Sequence, residues 1–264
     1  MENLPAKIPA NLSALLDRLA DDFPRLLADN LVGVYLWGSL TYAAFDARCS
    51  DADVIVVTSK DVSDKEFSAL EAWFERQLAN NPWTAKLDMR FIIDQEFLDK
   101  TSRCCGYHFG QLARHGSDGN PLIWLNIAQS GITLCGRPAK EIAPEIPRAV
   151  LTDALLLELE YLRQDLAANA GDKSDSAFFH NSYAVLTACR IFYTARNNAL
   201  VSKDVAADWT LQNVPAEWHE VIGAAQANRL AGQGEKTESL ETDALDFVCH
   251  VERLVKSLLI KNNT

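Results

Sequence analysis

The chain has 264 residues, of which 48% are hydrophobic and 23% are charged, a composition typical of globular proteins and unlike that of disordered or fibrous ones. Thirty-six acidic residues outweigh 25 basic ones and leave a net charge of −11, which disfavours duplex nucleic acid as a partner and favours a cationic one. The apolar runs are far shorter than the roughly 20 residues of a membrane span, and the N-terminal segment does not resemble a secretory signal. We therefore expect a cytoplasmic protein with no membrane partner.

The six cysteines and five histidines are scattered along the sequence. No group of them has the spacing of a zinc-binding motif, so we expect free thiols in a reducing compartment. His108 and His115 are seven residues apart and could share one face of a helix, where two imidazoles could bind a metal ion. The sequence favours an ordinary surface or cleft position for both histidines over a metal site.

Two periods of hydrophobicity alternate in the first part of the chain. Leucine and phenylalanine recur at three- and four-residue steps over residues 12–27, which predicts an amphipathic helix. Short apolar runs at 31–37 and 53–57 predict buried strands, and alternating apolar and polar residues at 87–93 predict a strand with one polar face. Ser63 begins a capping-box signature, which predicts a second helix between the later two strands. Strands and helices therefore alternate, as in an α/β domain.

Helical periodicity dominates the second half of the chain. After residue 150, apolar side chains recur at helical spacing in several successive segments. Prolines are frequent between Pro138 and Arg148, which is typical of a connector. We therefore expect an α/β domain over residues 1–148 and an all-α helical bundle over residues 149–264.

The strongest functional signal is a group of polar residues beside the predicted strands. Asp51 and Asp53 are two residues apart at the start of a strand, so their side chains leave the same face. Their mutual repulsion would be relieved by a divalent cation, and Asp88 can supply a third carboxylate if the two strands are neighbours. Gly38 and Ser39 directly follow a strand and can approach a phosphate, and the start of the helix expected next favours negative charge. Each feature is common without a ligand, and only the combination indicates a metal and phosphate site.

This combination resembles the nucleotidyltransferase superfamily of the DNA polymerase β type, in which Gly-Ser is followed by Asp-x-Asp and by a third carboxylate on a separate strand. The second half is similar to the C-terminal helical domain of the aminoglycoside 3''/9 adenylyltransferases, through residues 186–193 and 202–209 and the following Pro215. The resemblance implies an α/β nucleotidyltransferase domain with a mixed sheet and helices, followed by an all-α bundle that binds substrate and nucleotide.

The activity implied by this resemblance is Mg-ATP-dependent transfer of AMP to a hydroxyl of an aminoglycoside-like small molecule, with release of pyrophosphate, as in antibiotic resistance. Asp51 and Asp53 match the catalytic metal ligands of the family. Asp88 matches the position of a catalytic-base glutamate, whose side chain is one methylene longer than that of aspartate. Asp88 can also contribute to the metal site. The expected partners are therefore ATP, Mg²⁺ and a cationic acceptor.

The resemblance also implies which residues bind the nucleotide. Gly38, Ser39 and Ser50 match the phosphate side of the family's site, and Arg190 and Lys203 match its nucleotide-contacting arginine and lysine. Read from the sequence alone, an arginine within a bundle helix is often the partner of a buried acid. A lysine near a helix start is often only solvated.

The positions that would contact the acceptor differ from the family pattern. The family's drug-contacting tryptophan, in a helix after the third carboxylate, falls on Leu112, and two further drug-binding positions fall on His180 and Tyr183. An aromatic residue that packs on adenine falls on Arg229. A cationic drug facing His180 in place of a carboxylate would lose a charge-assisted contact, so we expect weak or absent activity on streptomycin and spectinomycin.

Two other functions are compatible with the sequence. The same chemistry could act on a protein or RNA acceptor, although the acidic charge disfavours RNA. The fold could also serve as a non-catalytic nucleotide-binding module, although retention of Asp51, Asp53 and Asp88 argues against a loss of catalysis.

Overall fold

A computed structural model of the chain describes residues 8–42, 44–116, 119–170, 175–231 and 241–262. The chain divides into two compact units, Met1–Ile146 and Pro147–Thr264. The boundary predicted from the prolines, between residues 148 and 149, lies close to this division. No helix in the ranges just given is long and apolar enough to cross a membrane.

The first unit is built on a six-stranded mixed sheet, which confirms the predicted α/β class. The strands are β1 Leu31–Trp37, β2 Ala52–Thr58, β3 Leu87–Ile93, β4 Arg103–His108, β5 Gln111–Gly116 and β6 Ile132–Gly136. Strands β2 and β3 are parallel, and every other neighbouring pair in the order β5-β4-β3-β2-β1-β6 is antiparallel.

Helices cover both faces of this sheet. They are α1 Ala10–Leu27, α2 Asp64–Asn80, α3 Pro121–Ser130 and α4 Ala139–Ile142. Leucines of α1 and aromatic residues of α2 pack on one face with buried side chains of β1, β2 and β3. Trp124 and its neighbours in α3 pack on the other face against Tyr35, Ile55 and Val57. Burial on both faces explains why β1 and β2 are almost continuously apolar.

The start of α2 follows the predicted capping box. The Glu66 backbone N–H donates to Ser63 Oγ over 3.3 Å, and the Ser63 N–H donates to Glu66 Oε2 over 2.7 Å. Two backbone donors that the helix itself leaves unpaired are thereby satisfied. The helix therefore begins where the sequence predicts.

The second unit is helical throughout the part of it that the structure describes, which confirms the predicted all-α class. The helices are α5 Arg148–Ala168, α6 Asp175–Asn197, α7 Lys203–Leu211, α8 His219–Ala231 and α9 Glu241–Asn262. Helix α6 packs against α7, α8 and α9, and α5 packs against α6 and α9. The buried leucines of α5 occupy one face of that helix.

The segment that contains His108 and His115 is a β-hairpin, so the suggestion that they share one face of a helix is wrong. His108 ends β4, and Leu112 and His115 lie in β5. Phe109 and Gly110 form the two-residue connection, and both have positive φ, 49° and 80°. Two central residues with positive φ are what a tight hairpin turn requires. A seven-residue spacing resembles two helical turns, but here it spans two paired strands.

Candidate functional site

The three predicted carboxylates lie together at one edge of the first unit. Asp53 in β2 and Asp88 in β3 are directly paired in the parallel register, and Asp51 immediately precedes β2. One carboxylate oxygen from each residue lies within 4.8 Å of the others. Asp51 is exposed, and Asp53 and Asp88 are half-buried. The shared strand face thus places three short acidic side chains around one point.

This donor set suits a hard divalent cation. Carboxylate oxygens are the ligands that Mg²⁺ and Ca²⁺ prefer, and three of them at close range repel one another without a cation. Within the described part of the chain, this is the only group of three or more acidic, histidine or cysteine side chains with such spacing. The acidic triad, Asp51, Asp53 and Asp88, can therefore hold a metal ion.

Gly38 allows the chain to pass close to the triad. Its φ is +69°, and a Cβ atom at this position would lie 2.0 Å from Asp53 Oδ2. Both the left-handed backbone and the close approach exclude a side chain here. The residue before it, Trp37, is the register partner of Asp53 in β1. The glycine of the predicted Gly-Ser pair therefore lies beside a carboxylate of the triad.

The Gly-Ser pair begins a short helix, as the sequence predicts, and this helix is a 3₁₀ turn, Gly38–Thr41. Asn126 of α3 holds this turn, because its Oδ1 accepts a hydrogen bond of 2.7 Å from the Gly38 N–H. The Thr41 hydroxyl donates to the Gly38 carbonyl and also contacts Ser130. A buried amide of α3 therefore positions the turn.

The two predicted phosphate-side serines have different surroundings. Ser39 Oγ is buried, and within the described residues no group forms a hydrogen bond with it. A buried hydroxyl without a partner is costly, which fits a position that a ligand oxygen completes. Ser50 is almost fully buried, and its Oγ accepts a hydrogen bond of 3.1 Å from the Asp46 N–H. Ser50 therefore orders the loop that leads to Asp51.

Asp88 has two basic neighbours that the sequence did not identify. His108 Nδ1 lies 2.8 Å from Asp88 Oδ1, and Arg90 Nε lies 3.9 Å from the same oxygen. The pKa of His108 is lowered, because burial penalises the imidazolium, and Arg90 adds to this effect while Asp88 opposes it. The neutral ring can then donate its Nδ1–H to Asp88. His108 and Arg90 thus orient the third carboxylate.

The helical unit brings together Tyr183 and Lys203, two residues predicted to contact different ligands. Lys203 is the first residue of α7, and its Nζ lies 3.6 Å from the ring centroid of Tyr183 in α6. Ser202 caps α7 by accepting a hydrogen bond from the Val205 N–H. Arg190 is half-buried further along α6. The contact between Lys203 and Tyr183 is a cation–π interaction.

The remaining residues matched to ligand-binding positions have identifiable surroundings. His180 Nδ1 lies 3.6 Å from Asp165 Oδ2. Arg229 forms an ion pair with Asp204, with 3.3 Å between Nη1 and each carboxylate oxygen. Leu112 lies on β5 and packs against the core of the first unit, which contradicts its assignment to a helix.

Asn126 and His108 are the site residues that sequence reasoning missed. Asn126 is fully buried within an otherwise apolar helix segment, and a buried amide among apolar neighbours indicates a fixed partner. That signal is readable as a polar residue on an apolar helix. His108 offered no comparable signal, because only the pairing of β3 with β4 brings it to Asp88.

Comparison with known proteins gives a consistent result. Residues 141–253 match the family model of the aminoglycoside adenylyltransferase C-terminal domain. The chain is 22% identical over 257 residues to a spectinomycin 9-adenylyltransferase of Campylobacter jejuni, with 89% of this chain and 92% of that protein covered. It is 31% identical to an aminoglycoside (3'') (9) adenylyltransferase of Rhizobium radiobacter over 141 residues, 53% of this chain and 48% of that one.

The fold has a counterpart among solved structures. A spectinomycin adenyltransferase from Enterococcus faecialis, in a crystal structure with ATP and spectinomycin, aligns with a TM-score of 0.70. The alignment covers 92% of this chain and 99% of that one, at 18% sequence identity. The likeness in fold therefore extends over nearly the whole chain.

Proposed function

We propose that this chain is an adenylyltransferase of the aminoglycoside adenylyltransferase family, and that it transfers AMP from ATP to a hydroxyl of a small cationic acceptor. The observation that carries this proposal is the acidic triad, with Gly38 and the unpaired Ser39 hydroxyl beside it. Carboxylates that gather a metal ion beside a phosphate-binding turn suit phosphoryl chemistry, in which positioning and charge neutralisation provide most of the catalysis.

We propose that Asp51 and Asp53 are the principal ligands of Mg²⁺ beside the triphosphate of ATP, and that Asp88 adds negative charge to the same site while one of its oxygens stays available to the acceptor. When bound, Mg²⁺ neutralises negative charge on the triphosphate and on the departing pyrophosphate. The residues present fit this ion, since their donor atoms are carboxylate oxygens within 4.8 Å of one another.

Asp88 is the residue best placed to accept a proton. In the transfer, the acceptor hydroxyl oxygen bonds to the α-phosphorus, the bond to pyrophosphate breaks, and the hydroxyl proton moves to the Asp88 carboxylate. His108 at 2.8 Å holds that carboxylate through one oxygen and leaves the other for the hydroxyl. His108 is therefore a positioning residue.

We propose the nucleotide contacts from the match of single residues to the family. The Gly38 turn, the Ser39 hydroxyl and Ser50 serve the phosphate side. Arg190 and Lys203 of the helical unit contribute positive charge to the nucleotide, as their match to the family implies. Each charge-assisted hydrogen bond to a phosphate is worth about 1.5–3 kcal/mol.

For the acceptor, we propose an aminocyclitol of the spectinomycin type in preference to streptomycin. The relatives named above that align with nearly the whole chain are spectinomycin enzymes, whereas the (3'') (9) enzyme matches only half of it. The expectation of weak activity on spectinomycin rested on Leu112, His180 and Tyr183 at drug-contacting positions. The position matched to Leu112 lies in a helix of the family, whereas Leu112 lies in β5. Asp165 Oδ2, 3.6 Å from His180 Nδ1, supplies a carboxylate beside His180. A cationic acceptor can contact Asp165.

The direct test is AMP transfer from labelled ATP to spectinomycin and streptomycin by the purified chain with Mg²⁺. We expect a labelled product and pyrophosphate with spectinomycin, and much less product with streptomycin. Asp53→Asn serves as the inactive control. Transfer to neither drug, with ATP binding intact, would contradict the proposed acceptor and leave the nucleotide assignment standing. Failure to bind ATP with Mg²⁺ would contradict the nucleotide assignment itself.

A further inference from the structure

The β4–β5 hairpin carries two histidines on one face beside the acidic triad. In its register, Cys104 pairs with His115, Gly106 with Ala113 and His108 with Gln111. Residues directly opposite in a sheet share a face, so both imidazoles project to the same side. The ring centroids are 5.9 Å apart, with an interplanar angle of 49°.

The second nitrogens of both rings border one small space. A Cβ atom built on Gly106 would lie 2.5 Å from His108 Nε2 and 2.5 Å from His115 Nε2. Gly106 and Ala113, small residues between the histidines, leave this space open. Zn²⁺ binds imidazole nitrogen at about 2.0–2.1 Å, so a small movement of either ring would bring both nitrogens to that distance from one ion.

Each ring is oriented through its other nitrogen. His115 Nδ1 lies 2.7 Å from the Gly116 carbonyl oxygen, which can only accept a hydrogen bond, so Nδ1 carries the proton. His108 Nδ1 lies 2.8 Å from Asp88 Oδ1, and an ionised carboxylate also only accepts. With Nδ1 as the donor in each ring, Nε2 is the nitrogen that can bind a metal ion. Metal-binding histidines characteristically donate the other ring N–H to a carboxylate or a backbone carbonyl.

We propose that His108 and His115 form a second metal site, which takes a divalent transition-metal ion such as Zn²⁺ and is separate from the triad. Imidazole nitrogen suits Zn²⁺, Ni²⁺ and Cu²⁺, whereas Mg²⁺ requires oxygen ligands. Water completes the coordination, because the site has two protein ligands.

The test measures Zn²⁺ binding to the full chain by isothermal titration calorimetry in the presence of excess Mg²⁺. We expect one zinc ion per chain, with an affinity that falls at least tenfold in His108→Gln and in His115→Gln. His219→Gln, which changes an exposed histidine of the helical unit, is the matched control and should bind as the unchanged chain does. Circular dichroism checks that each variant folds. If His108→Gln does not fold, His115→Gln alone decides the test, because His115 is exposed.

Two further measurements separate this site from other zinc ligands. Asp53→Asn should leave zinc binding unchanged, and its loss there would place the zinc on the triad. Cobalt substituted at the site should show no thiolate charge-transfer band, whereas a strong band would assign the ion to Cys104, whose sulfur lies 3.2 Å from His115 Nδ1. Loss of zinc binding in Asp53→Asn or a strong thiolate band would overturn the proposal. So would an absence of zinc binding by the unchanged chain, or full zinc affinity in both histidine variants.

Discussion

The acidic triad of the first unit and the polar residues of the helical unit differ in how their positions are set. Asp53 and Asp88 have short side chains on directly paired strands, so the backbone register alone determines their separation. Lys203 and Tyr183 have long side chains on different helices, and they contact each other through a cation–π interaction. Substitutions in the triad should therefore act almost all-or-none, whereas substitutions in the helical unit should have graded effects.

The largest effect is expected at the triad. Asp53→Asn removes a charge that holds Mg²⁺, so it should abolish AMP transfer while the fold persists. Asp29→Asn, at an exposed acid of the same unit, is the control and should retain full activity. The measurement is pyrophosphate release, with circular dichroism to verify folding. Near-native turnover in Asp53→Asn would refute the metal assignment.

A smaller loss is expected at Asp88. Asp88→Asn should lower the transfer rate by roughly 10²–10⁴, the contribution of a positioned general base. Binding of ATP with Mg²⁺, measured by calorimetry, should change little. If ATP binding is lost instead, Asp88 acts chiefly as a metal ligand. Asp88→Glu, which restores the longer family side chain, should recover part of the rate.

A graded effect is expected in the helical unit. Lys203→Ala should weaken ATP binding by about 1.5–3 kcal/mol, or roughly 10- to 150-fold, if it makes a charge-assisted phosphate contact. Lys256→Ala, at an exposed lysine paired with Glu252 in α9, should leave ATP affinity unchanged. Equal affinities for both variants would show that Lys203 serves only its contact with Tyr183.

The smallest effect concerns one buried thiol in each unit, which have no role in the proposed chemistry. Burial raises the pKa of Cys105 and of Cys189 to about 12. The thiolate, which is the reactive form, should then be negligible at mildly alkaline pH, so neither residue should react with Ellman's reagent until the chain unfolds. Half-buried Cys49 and Cys249 should react before them. Mass spectrometry of the labelled chain identifies the modified residues, and early labelling of Cys189 would contradict its burial.

Several elements were readable from the sequence because they depend on local patterns. The predicted strands at 31–37 and 87–93 have the bounds of β1 and β3, and the one at 53–57 extends one residue further at each end in β2. Ser63 marked the start of α2, since a capping box acts within four residues of the chain. The hairpin of β4 and β5 was not evident from the sequence, because the seven-residue spacing of His108 and His115 also fits two turns of a helix.

The candidate site residues could be named from the amino-acid sequence, because Gly-Ser, Asp-x-Asp and a polar strand are local patterns of residue type. Which of these residues lie next to one another depends on the tertiary structure. The strand order places β2 beside β3 and so Asp53 beside Asp88, while the β3–β4 pairing brings His108 to that carboxylate. Packing of α3 on the sheet brings Asn126 to Gly38. Such contacts depend on strand order and register between distant segments, and hydrophobic periodicity reports only which face of each element is buried.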